Sequence, residues 1–62
     1  MTHKQITELK NDMRITQGIH TTAKEWRYYV MGIMDGLNYA GVSRDQMEEI
    51  DKYADELAHK NY

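Results

Sequence analysis

The side chains best suited to proton transfer or metal ligation in this chain are three histidines, and none has the company that chemistry requires. His3, His20 and His59 fall near the ends of the helices read below. Catalysis needs a nucleophile, a base and a group that orients the base, all converging on one point. Asp51, Asp55 and His59 do recur at i, i+4 and i+8, which would place two carboxylates and an imidazole on one helix face, where such groups can ligate a metal. No second His shares that face. The chain has no Gly-rich phosphate loop, no H-E-x-x-H pair and no Cys for a thiolate site. We therefore expect no catalytic residue, no metal site and no cofactor, and a protein that is not an enzyme.

What remains is recognition chemistry, and it is concentrated in residues 22–41. This stretch carries the only Trp and three of the five Tyr. Ala23, Trp26, Val30, Ile33, Leu37 and Ala40 are spaced 3, 4, 3, 4, 3, the stripe of an amphipathic helix and not the alternation of a strand. That stripe is the expected core seam, and the long helix bearing it is the expected centre of the fold. On an adjoining stripe Gly32, Gly36 and Ala40 recur every four residues, giving a shallow groove for close helix packing inside the chain or for a symmetric dimer. Tyr28, Met31, Asp35 and Tyr39 fall on the far side. Two large aromatics with polar tips, and a Met, make that side too apolar for a plain solvated face, so these four residues are the expected protein-binding surface.

The elements that must position this face can be read from their ends. Thr2 and Gln5 have the form of a capping box, with Ile6, Leu9 and Met13 as a thin apolar stripe and Gly18 as a left-handed stop. Ile19 is expected to tuck into the edge of the core. Thr22 and Glu25 repeat the capping box, Glu25 reaching back to the Thr22 amide. Gly41 stops the long helix, and Ser43 with Gln46 opens the next at once, stapled by Val42 and Met47. The last helix buries Met47, Ile50, Ala54 and Leu57 and turns an acidic side outward, where Glu48, Asp51 and Asp55 offer a face for a basic partner. The expected fold is an all-α single domain over 1–62: a short N-terminal helix at about 3–17, a long central one at about 23–40 and an acidic C-terminal one at about 44–60. The last two form a tight helical corner or hairpin.

Composition narrows the partners. With 62 residues, no Cys and no Pro, the chain has neither disulfide nor thiolate metal to staple a small core, which leaves helix packing or self-association to stabilise it. The 29% charged and 40% hydrophobic residues fit a folded helical protein better than a disordered one. No apolar run reaches the ~18 residues of a membrane span, and residues 1–10 hold no signal-like segment, so the expected location is the cytoplasm. The net charge of -2 opposes both a strong nucleic-acid binder and an acidic mimic of one. It is unevenly spread: residues 1–27 have five Lys/Arg against three Asp/Glu, and residues 28–62 have three against seven. The alternative reading, a DNA-associated regulator, would use Lys10, Arg14, Lys24 and Arg27, but a recognition helix in the third position would be the most acidic part of the chain.

The phrase YVMGIMDGLNYAG at 29–41, followed by a capped acidic helix, resembles the small orphan helical proteins of bacteriophages and mobile elements. The resemblance covers about half the chain and brings no residue with a known chemical duty. It implies action by stoichiometric binding, such as inhibition of a host or defence complex. The expectation is then an inhibitor or adaptor that binds a protein partner, without membrane or nucleic acid, as a homo-oligomer.

Overall fold

A computed structural model describes residues 1–19 and 22–62; the expectations placed on His20 and Thr21 lie outside the described residues. The chain is a three-helix all-α domain: α1 (His3–Gln17), α2 (Ala23–Tyr39) and α3 (Arg44–Asn61), with no strand among the described residues.

Each helix begins where a hydroxyl can satisfy a free amide. Thr2 Oγ1 accepts from the Gln5 amide at 3.1 Å while Gln5 Oε1 accepts from the Thr2 amide at 2.8 Å, a complete capping box. Thr22 Oγ1 accepts from the Glu25 amide at 3.1 Å, and the Thr22 hydroxyl donates to Glu25 Oε1 at 3.1 Å. The Glu25 carboxylate thus meets the hydroxyl, where the sequence suggested the Thr22 amide. Ser43 Oγ accepts from the Gln46 amide at 3.3 Å, but the Gln46 side chain does not close this box. Its Nε2 donates to the Met1 carbonyl at 2.7 Å and its Oε1 accepts from the Met1 ammonium at 3.2 Å. A group expected to serve its own helix end instead ties α1 to the start of α3.

The helix ends differ. Gly41 sits at φ 77°; its N–H reaches the Asn38 carbonyl at 3.1 Å and the Val42 N–H reaches the Leu37 carbonyl at 3.1 Å. This paired pattern closes the last turn of α2 and lets α3 start at Arg44. Gly18, expected to be a left-handed stop, is right-handed at φ -65°. α1 ends in two tight turns, Gly18 N–H to the Ile15 carbonyl and Ile19 N–H to the Thr16 carbonyl, so no left-handed residue is needed there.

The centre of the fold is α3. α2 packs antiparallel to it, and α1 packs on its other flank. The buried core takes Ile6 and Met13 from α1, Trp26 from α2, and Ile50, Ala54 and Leu57 from α3. Of the expected α2 seam only Trp26 is buried; Val30, Ile33 and Leu37 are half-buried, and Ala23 and Ala40 are exposed. Met47, expected in the core, is also half-buried. Ile19, expected at the edge of the core, lies outside it with 77% of its surface exposed, two residues beyond the end of α1 at Gln17.

Trp26 anchors α2. Its indole, 3% exposed, donates through Nε1 to the Ala54 carbonyl at 3.2 Å, and its ring lies 5.3 Å from that of Tyr29. A carbonyl has two lone pairs, so one already used in a helix can accept a second donor. Trp26→Ala should cost about 3–5 kcal/mol, most of the stability available to so small a domain. Trp26→Phe keeps an aromatic ring and leaves Ala54 its helix bond, so its loss should be smaller by about 2 kcal/mol. Urea unfolding of the two variants checks the order. At Gly41 an added methyl would meet no atom within 4 Å, so Gly41→Ala pays only for the left-handed backbone, about 1–2 kcal/mol, seen as a lower thermal midpoint by circular dichroism.

Candidate interaction surfaces

Once α2 is fixed through Trp26, a turn of about 100° per residue sends Tyr28, Met31, Asp35 and Tyr39 away from the core. All four are exposed, Tyr28 to 62%, Met31 to 53% and Tyr39 to 91%. The fold uses none of them internally to a significant degree. Gly32, Gly36 and Ala40 beside them are exposed too, and a methyl added at Gly32 or Gly36 would meet no atom within 4 Å. The small-residue stripe therefore does not pack closely against α1 or α3. It forms an open shelf along a face carrying two Tyr.

A second apolar surface, which sequence reading missed, lies between α2 and α3 on the side away from α1. Two clefts of about 260 and 390 Å³ follow this junction and share Asp51. Ala23, Val30, Met31, Ala54 and Ala58 line the first, so Met31 borders both this groove and the outward face of α2, and Met34, Val42 and Met47 line the second. The signal was present in the alanines. Ala54 and Ala58 are too small to fill the space beyond the Trp26 ring, so the seam stays open along its flank.

The rims of these clefts are charged. Glu48, Asp51 and Asp55 edge them from α3, Arg44 stands at the α3 start, and Arg27 edges the first cleft from α2. Glu48, Asp51 and Asp55 take no part in an ion pair or side-chain hydrogen bond among the described residues. Asp51, Asp55 and His59 are not gathered into a ligand set: among the described residues no three His, Cys, Asp or Glu side chains come together as a metal site would need.

The four cations proposed for nucleic acid are divided by the fold. Lys10 Nζ binds Glu49 Oε2 at 2.8 Å and sits 5.5 Å above the Tyr53 ring, while Arg14 Nη2 donates to Asn11 Oδ1 at 2.7 Å. Lys24 and Arg27 are exposed at the start of α2. Lys10 is thus held by α3, where a phosphate would have to displace both a carboxylate and an aromatic face.

The chain matches no protein-family model, and comparison with curated proteins and with solved structures returns no match.

The Lys10 hydrogen bond, followed by its charge, holds the Glu49 carboxyl below its ordinary value. A carboxyl with a lowered folded pKa stabilises the fold above its unfolded pKa, and that contribution disappears as pH falls through the folded value. In Lys10→Met the contribution is absent at neutral pH, so the stabilities of variant and wild type should converge on acidification. Parallel urea midpoints from pH 7 down through the carboxylate range would show that the pair does not act in this way.

Proposed function

We propose that this chain is a small non-enzymatic protein-interaction module whose recognition surface is the outward face of α2. Tyr28, Met31, Asp35 and Tyr39 form its centre, with the Gly32/Gly36 shelf alongside. The reading is supported above all by the exposure of Tyr28 and Tyr39 on one helix face with no internal use for either ring. Rigid aromatics order at little entropic cost and carry both an apolar body and a hydroxyl, which suits them to anchor a protein interface. In keeping with the resemblance to small phage proteins, the action proposed is that of an inhibitor or adaptor that occupies a host or defence complex in the cytoplasm, working as a homo-oligomer. No helix among the described residues is long and apolar enough to cross a membrane. The capture of Lys10 by Glu49 and the acidic rim of α3 weigh against nucleic acid.

The double variant Tyr28→Ala/Tyr39→Ala removes two exposed rings, so helicity and thermal midpoint should stay close to wild type. Capture of the protein partner from the native host should fall at least about tenfold, as expected on losing two interface anchors. Undiminished capture of the same partner would remove this face from consideration.

A further inference from the structure

We infer that the α2/α3 clefts are closed by a second copy of this chain, with a two-fold axis running along the groove. This rests on the oligomeric part of the proposed function and adds to it a surface, a symmetry and a set of contacts.

The charges on the two rims choose the occupant. Arg27 stands on the α2 rim of the smaller cleft and Asp51 and Asp55 on its α3 rim, yet Arg27 forms no ion pair with either across the opening. A two-fold axis parallel to the helices lays α2 of one copy over α3 of the other and keeps residues at the same height together. Arg27 then meets Asp51 and Asp55 of the second copy, and the contact occurs twice, as any isologous interface requires. At the larger cleft the same operation brings Asn38 opposite Arg44 and Glu48 of the second copy, an amide facing two groups with which it can hydrogen-bond. An axis across the helices would lay α3 over α3 and set Glu48, Asp51 and Asp55 against their own counterparts, which like-charge repulsion opposes. The rim pattern thus suits one of the two face-to-face arrangements.

The floor of the groove fits this occupant as well. Val30, Met34, Val42 and Met47 are half-buried within one chain and would meet the same set from the second copy, making a four-helix core from two α2/α3 hairpins. Unbranched Met side chains adapt readily to such a facing surface. α1 does not obstruct it, because its contacts through Met1 and Lys10 fall on Gln46, Glu49 and Tyr53, the opposite flank of α3. The accessible surface of the single chain, 4613 Å², also exceeds the roughly 4200 Å² typical of a folded monomer of this mass.

Charge reversal tests the contact directly, since Arg27 and Asp55 are exposed and their replacement leaves the core alone. Wild type should sediment at twice the 7.4 kDa chain mass. Arg27→Glu and Asp55→Arg should each remain helical and each weaken the dimer at least about tenfold, by placing like charges together at two contacts. An equimolar mixture of the two variants should bind more tightly than either variant alone, as a heterodimer identified by native mass spectrometry, because one contact is then that of the wild type and the other sets the introduced Glu against the introduced Arg. A wild type that sediments as a monomer overturns the inference, as does a mixture no tighter than either variant alone. Tyr28→Ala/Tyr39→Ala lies off the groove and should keep the dimeric mass. If that variant becomes monomeric the groove assignment falls, whereas loss of partner capture with the dimer intact bears only on the outward face.

Discussion

The insertion of Trp26 into α3 is the contact on which the remaining surfaces depend. α2 has no other buried side chain, so one indole and its hydrogen bond to the Ala54 carbonyl anchor it on α3, with the half-buried Val30, Ile33, Met34 and Leu37 packing against the core beside it. The ring approaches because its neighbours on α3 are alanines. The same small residues leave space beside it, and from there α2 runs along α3 with Val30, Ile33, Met34 and Leu37 only half covered. The anchor and the clefts therefore have a common cause: a large side chain set against small ones in a hairpin whose flank away from α1 stays open. Rotation about the helix then fixes where Tyr28 and Tyr39 face, since neither can turn inward while Trp26 is buried.

How the three helices share the core explains which parts were legible in the sequence. The hydroxyl caps at Thr2, Thr22 and Ser43 and the left-handed Gly41 are local devices, and a few neighbouring residues identify them without knowledge of the fold. The three-helix class followed from these and from apolar periodicity. Tertiary competition was harder to read. Gln46 had two uses open to it, its own cap or the Met1 backbone, and only the approach of α1 decides between them. The long apolar α2 looked like the centre, yet α3 holds that place because its stripe of Ile50, Ala54 and Leu57 is flanked by residues that can receive a neighbour on either side. Gly18 was misread because glycine after a helix permits a left-handed turn without requiring one.

The candidate surfaces show the same division. Periodicity placed Tyr28, Met31, Asp35 and Tyr39 on one face because that depends only on helical geometry, and the structure leaves all four exposed. The openness of the Gly32/Gly36 shelf depends on where α1 and α3 pass, which spacing alone could not tell. The α2/α3 clefts are further from the sequence, because a groove belongs to two helices at once and needs their register. Lys10 illustrates the reverse case. As one of several basic residues in the N-terminal half it suggested a phosphate contact, and the fold gives it a carboxylate and an aromatic ring instead.

Charge then determines what apolar surface can do. With a net charge of only -2, long-range repulsion does little to keep copies of this chain apart, so the local pattern of charge matters more than the total. Glu49 is engaged by Lys10 on the α1 flank of α3, while Asp51 and Asp55 on the other flank have no ion partner among the described residues and stand beside half-covered methionines and valine. Carboxylates in that position oppose approach by an acidic helix and favour one bearing a cation at the right height. α2 of the same sequence bears Arg27 at that height, which makes the chain complementary to itself along one axis and repulsive along another.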